Sequence, residues 1–121
     1  MRKGFLKGKI AWDAAVLEQL FALLDELWPD AEVDWAAKVL VNYRRGKTRL
    51  ACVVTKRPAG VELGLFVPTG TVTLGQIADL GEDPVVKPHR DGEDLVGLRF
   101  TDVKQIASPK LRKFLAGFAS K

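Results

Sequence analysis

The sequence predicts an α+β protein: one antiparallel sheet of four to five strands, with an N-terminal and a C-terminal helix packed on one face. Three observations carry that expectation. Residues 13–28, DAAVLEQLFALLDELW, repeat apolar side chains at spacings of three and four. Residues 36–67 hold three β-rich runs separated by turn residues, which reads as a three-stranded meander. Residues 108–119, SPKLRKFLAGFA, open on a helix-start signature.

In the first helix, Leu17, Leu20, Phe21, Leu24, Leu27 and Trp28 fall on one stripe. Asp13 stands where a carboxylate can accept from the free N–H groups of the first turn. Pro29 stops the helix, because the residue before a proline is driven out of the helical region. Glu18, Asp25 and Glu26 make its solvated face, and WPDAEV then reads as a turn. AKVLVNYR and TRLACVV form a hairpin closed through Gly46, which can take the positive φ of a tight turn. Beyond the turn KRPAG, VELGLFVP alternates with period two: Val61, Leu63, Leu65 and Val67 share one face, Glu62, Gly64 and Phe66 the other.

Residues 68–94 read as an irregular crossover. Within it LGQIADLG is a short helix or a loop, and PVVKP is a short edge strand limited by its two prolines. Asp91-Gly92 marks a turn, and residues 95–100 are a further strand. Ser108 then caps the last helix, with Pro109 at its first position and Leu111, Phe114, Leu115 and Phe118 facing inward.

A chain of 121 residues, 47% hydrophobic and 28% charged, has the size and usage of one globular domain. Cys52 is the single cysteine, so no intrachain disulfide forms, and its setting in LACVV is that of a buried structural thiol. No apolar run approaches the length of a spanning helix, and the N-terminus lacks a signal-peptide core, so a cytoplasmic protein without a membrane partner is expected. The net charge of +4 is distributed in blocks. Residues 1–12 form a basic arm with four cations and no acid; 13–34 hold seven acids and no cation; 35–61 hold seven cations and no acid. Residues 62–102 hold eight acids and three cations, and 103–121 five cations alone. Such blocks either steer an acidic partner or pair within the fold.

The usual catalytic combinations are missing. His89 is the only histidine, set among cations in KPHRDGED, where Asp91 or Asp94 could orient it; it reads as an exposed imidazole. One cysteine and one histidine do not make a zinc site, and Glu82, Asp83, Asp91, Glu93 and Asp94 do not follow the spacing of a calcium loop. There is no GxxxxGK[ST], no GxGxxG opening a helix and no GxSxG. Hence no catalytic residue, metal or cofactor is assigned.

The remaining candidate is YRRGKTR. Arg44, Arg45, Lys47 and Arg49 cluster at one hairpin end, with Tyr43 beside them as a base-stacking group. Lys56 and Arg57 belong to the next turn, about 20 Å away along the strand. The expectation is a non-enzymatic binding or accessory module contacting nucleic acid through these residues, set against a solvated turn. A protein–protein or homodimerisation module is the alternative, with Phe66, Trp35 and Trp12 as candidates for an apolar patch on the wet side of the sheet. An enzyme with a small-molecule pocket between sheet and helices is a third.

Leu17 to Phe118 resembles a small bacterial domain of unknown function that stands alone or follows restriction-like or "predicted transport" regions. The match runs through Trp35, Val41, Tyr43-Arg44-Arg45, Leu50-Ala51-Cys52-Val53, Val61–Val67, Leu80-Gly81 and Asp94–Phe100. The chain is also similar to α+β proteins of the YdhG and YjbR type, some described as double-wing DNA-binding-like folds. These resemblances imply an α+β fold and a bacterial cytosolic setting, and transfer no catalytic residues.

Overall fold

Alternation along VELGLFVP sets the layers of the molecule. In strand β4 (Val61–Pro68) the side chains of Val61, Leu63, Leu65 and Val67 are buried against helices, while Glu62, Gly64 and Phe66 face the other way. The computed structural model describes residues 11–37, 40–55 and 60–119. Before β4 come helix α1 (Ala11–Leu27) and strands β1 (Glu32–Ala37), β2 (Leu40–Arg45) and β3 (Thr48–Thr55). After it come α2 (Leu74–Ile77), β5 (Glu82–Arg90), β6 (Glu93–Phe100), α3 (Val103–Ile106) and α4 (Pro109–Ala119). The basic arm up to residue 10, Lys38, and Lys56 and Arg57 lie outside the described residues.

The strands form a single six-stranded sheet in the order β1-β2-β3-β4-β6-β5, with every neighbouring pair antiparallel. The class is the α+β sandwich expected, but the strands number six rather than four to five. The first addition is β1, drawn from the stretch read as a turn. Val33 pairs with Tyr43 of β2, and Trp35 lies edge-on to Phe21 of α1 at 5.5 Å. Trp35 is therefore on the helix side, which corrects its assignment to a patch on the wet side: period-two alternation from Val33 carries it inward. The second difference is one of extent: β5 is the edge strand read at PVVKP, lengthened to Glu82–Arg90 inside the segment read as an irregular crossover. Among the described residues it pairs with β6 alone, and register shifts at Glu82/Val85 and Pro88/Arg90 fall at its two prolines, which have no N–H to give a ladder. The chain thus leaves β4, lays β5 at the edge, and returns through Asp91-Gly92 to insert β6 beside β4.

Local chemistry explains the ends of the elements. α1 starts at Ala11, so Asp13 is inside the first turn rather than at the cap, and it stops at Leu27 ahead of Trp28-Pro29. Arg45 pairs with Thr48, leaving Gly46-Lys47 as a two-residue turn with Gly46 at φ 61°. A glycine of positive φ in the first central position matches the twist of a hairpin. α4 begins at Pro109, with Arg112 N donating to the Ser108 carbonyl at 3.1 Å.

Leu17, Leu20, Phe21 and Leu24 of α1 and Leu111 and Leu115 of α4 cover the inner face of the sheet, built from Val41, Val53, Leu63, Leu65, Leu98 and Phe100. The start of β5 is fastened to the β6–α3 junction by Glu82, whose carboxylate accepts from the Thr101 hydroxyl and from Gln105 Nε2. On the outer face, Gly64 of β4 lies between Cys52 and Gly97 in register. A Cβ on Gly64 would lie 2.8 Å from Cys52 Sγ and 3.2 Å from Leu95 Cδ1. G64A should therefore cost about 1–3 kcal/mol by overpacking, with much of it recovered in C52A/G64A. Urea denaturation of the two single variants and the double variant checks this; additive effects would show that the thiol is not what excludes the methyl.

Candidate functional site

The cations of the hairpin do not converge. Arg45 makes a two-point contact with Asp30, Nε–Oδ2 at 2.9 Å and Nη2–Oδ1 at 3.1 Å. Arg44 Nε lies 3.6 Å from Asp34 Oδ2. Tyr43 is 1% exposed, its hydroxyl donating to Asp25 Oδ1 at 3.4 Å and its ring edge-on to Trp28 at 6.0 Å. It is a core residue with no face for a base. A register shift between Tyr43 and Arg44 separates this inward ring from the two arginines that meet acids. Lys47 is exposed at the turn and, among the described residues, has no carboxylate partner. Lys56 and Arg57 lie outside the described residues.

Arg49 behaves differently. Its guanidinium carbon sits 4.0 Å from the centre of the Phe66 ring, on the sheet face that no described helix covers. Among the described residues it has no carboxylate partner. His89 packs on the same ring, centroids 5.1 Å apart at 54°, so Phe66 is only 9% exposed although it points away from the core. His89 Nε2 is 3.9 Å from Glu93 Oε1, and the same oxygen meets Arg90 Nε at 3.1 Å. The stack exists because β5, beyond β6, brings His89 back toward β4 at the end of the sheet that also holds the β2–β3 turn.

Next to the stack the outer face is low. Gly64 and Gly97 are opposite each other, flanked by Cys52 on β3 and Val85 on β5. The resulting depression, about 300 Å³, is lined by Glu62, Val85, Lys87, Leu95, Gly97 and Arg99. Lys87 is exposed and, among the described residues, has no carboxylate partner; Arg99 Nη1 is 3.5 Å from Asp83 Oδ2. Burial pushes the Cys52 thiol up, which outweighs the nearby Arg49 charge, so it stays protonated at neutral pH and is a poor nucleophile. The loop acids are dispersed. Glu82 serves Thr101 and Gln105, Asp83 serves Arg99, and Asp94 accepts from Gly70 N at 3.0 Å. Among the described residues no group of three His, Cys, Asp or Glu could hold a metal ion.

Of the basic residues singled out in the sequence, Arg49 and Lys47 have no acidic partner among the described residues. The structure brings Phe66, read as part of an apolar patch, and His89, read as an exposed imidazole near Asp91 and Asp94, together with Arg49, and adds Lys87; the acid that His89 meets is Glu93. Phe66 carried a usable signal, a large aromatic on the polar phase of an alternating strand. The contact of His89 with Phe66 and the place of Lys87 beside it carried none, because they depend on the strand order β4-β6-β5. No family model, curated protein or solved structure matches the chain.

Several other described charges have partners inside the fold. The Arg112 guanidinium holds the Glu26 carboxyl below its usual range, the Lys110 ammonium does the same for Asp79, and the Thr101 hydroxyl and Gln105 amide do so for Glu82. All three titrate lower folded than unfolded. Their stabilisation is complete above the ordinary carboxylate range and is lost as pH falls through the lowered folded values. Urea midpoints should thus fall from about pH 5 toward pH 2, and E26Q/D79N/E82Q should flatten that acid limb. Identical limbs in parent and variant would assign the acid sensitivity to other groups.

Proposed function

We propose that the protein is a non-enzymatic binding module that takes single-stranded nucleic acid on the outer face of its sheet, with the Arg49–Phe66 stack as anchor. The observation that carries this reading is a guanidinium held over an aromatic ring, its carbon 4.0 Å from the ring centre, with no ion pair of its own among the described residues. Stacking fixes its orientation, so little side-chain freedom is lost when it meets a phosphate or a base. Lys87 extends the positive surface along β5, His89 adds a second ring beside Phe66, and the half-buried Leu95 and Gly97 give a low apolar bed next to them. Sheets that bind single strands combine these parts, planar side chains for bases and cations for the backbone. Arg44 and Arg45 take a lesser place, since an incoming phosphate would have to displace Asp34 or Asp30.

A protein partner, including a second copy of the chain, is the other reading. Val85 and Leu95 on the same face favour it, with Val85 40% exposed. Main-chain pairing at the β5 edge is disfavoured by Pro84 and Pro88.

Fluorescence anisotropy of a labelled oligo-dT at low salt separates these. Binding should weaken steeply as salt rises, and R49A/K87A should lower affinity by about tenfold or more and reduce the salt slope by about 0.7 per lost phosphate contact. R44A/R45A should have the smaller effect. No anisotropy change at low salt, or a larger loss in R44A/R45A, overturns the assignment; a concentration-dependent mass in sedimentation equilibrium would support the partner reading instead.

A further inference from the structure

A second surface, on the helix side, is built for a different ligand. α4 carries two stripes. Leu111, Leu115 and Phe118 face the core, while Lys110, Lys113, Phe114 and Gly117 follow one another at spacings of three, one and three along the side turned to residues 71–80. Between the two walls lies a cleft of about 540 Å³, within the range of small-molecule sites. Its floor is apolar, made by Val72, Leu80, Phe114 and Phe118.

The walls are braced separately. Gly70 N donates to the buried Asp94 carboxylate at 3.0 Å, and Thr71 Oγ1 donates to the Pro68 carbonyl at 2.7 Å, which fixes the approach to α2. Trp28 holds α4 from behind, its Nε1 donating to the Leu115 carbonyl at 3.4 Å and its ring 5.8 Å from that of Phe118. Lys110 Nζ reaches Asp79 Oδ2 at 2.7 Å and ties the walls together at the rim. The cleft is held open by bonds on both sides, and nothing comes within 4 Å of a Cβ placed on Gly117 at its mouth.

Charge decides the class of occupant. Asp79 is neutralised by Lys110, whereas Lys113 has no carboxylate partner among the described residues. One cation therefore remains above an aromatic and aliphatic floor. We infer that the cleft between residues 71–80 and α4 binds an amphipathic monocarboxylate, its apolar body on Phe114 and Phe118 and its carboxylate on Lys113. The site shares no residue with the outer face of the sheet, so it stands independently of the nucleic-acid reading.

The matched series octanoate, 1-octanol and octylamine tests this by titration into the full chain, followed by amide chemical shifts. Octanoate should bind saturably, with shifts at Val72, Leu80, Phe114 and Phe118, and more tightly than either neutral or cationic analogue. K113M should weaken octanoate about tenfold and leave octanol unchanged, while K113R should restore octanoate binding. G117L should abolish binding by filling the mouth, while its melting temperature holds or rises because leucine is the better helix former. R49A/K87A should bind octanoate as the parent does. Absence of saturable octanoate binding, equal affinity for octylamine, an unchanged affinity in K113M, or shifts confined to the outer sheet face would each overturn the proposal.

Discussion

The indole of Trp28 is the point at which both helices and the sheet are joined. It follows directly on α1, is 1% exposed, and lies edge-on to Tyr43 of β2 while its other flank meets Phe118 of α4. Pro29 puts it there: by ending the helix at Leu27 it turns the next side chain into the space between the layers. A ring of this size contributes several kcal/mol when fully buried, and its Nε1–H keeps a partner in the Leu115 carbonyl rather than being stranded. Tyr43 steadies the strand that leads to the hairpin arginines, and Phe118 is part of the cleft floor. Loosening this one contact would disturb both candidate surfaces.

Among the described residues, acids and cations from different charge blocks pair within the fold. The acidic block 13–34 supplies Asp30 and Asp34 to Arg45 and Arg44, and Glu26 to Arg112 at the far end of the chain. The acidic stretch 62–102 supplies Asp79 to Lys110. Single exposed pairs of this kind contribute about 0–1 kcal/mol, so their value to the fold is modest. Their effect on function is larger, because they remove cations from any electrostatic footprint. The acid-free run from 35 to 61 suggests a continuous basic patch only while the chain is read as a line. Folded, it leaves Lys47 and Arg49 as its described cations without acids, and Arg49 is turned onto a ring.

What was legible in the sequence follows the range of the interactions involved. The stripe of α1, the alternation of β4 and the Ser108-Pro109 start of α4 are set by neighbours a few residues apart, and each stands where its pattern puts it. β1 was hidden because Val33 and Trp35 are only two apolar positions between acids, and they become a strand by packing on Tyr43 and Phe21. β5 was legible at PVVKP as an edge strand, because an edge tolerates prolines that an inner strand does not; its extension to Glu82–Arg90 was not, since pairing with β6 sets it. Tyr43 and Arg44 are neighbours in one strand, so the pleat alone sends them to opposite sides of the sheet; which side is the core depends on α1 packing over Tyr43. The Phe66–His89 contact depends on β6 entering between β4 and β5, so it required the topology itself.

The insertion of β6 also links the two surfaces. Glu93 and Asp94 open that strand, and the pleat sends their side chains to opposite faces. Glu93 meets His89 and Arg90 on the outer face, beside the Arg49–Phe66 stack. Asp94, buried on the inner face, holds Gly70 and with it the approach to the α2 wall of the cleft. Because β6 is paired on both sides along its length, a shift at one of these residues is carried by a backbone that β4 and β5 both resist. A one-residue slip would exchange the two carboxylates, leaving His89 without an acid and Gly70 without an acceptor. The register of this single strand therefore fixes the outer stack and the inner cleft relative to each other, and neither can be reshaped there without a cost to the ladder.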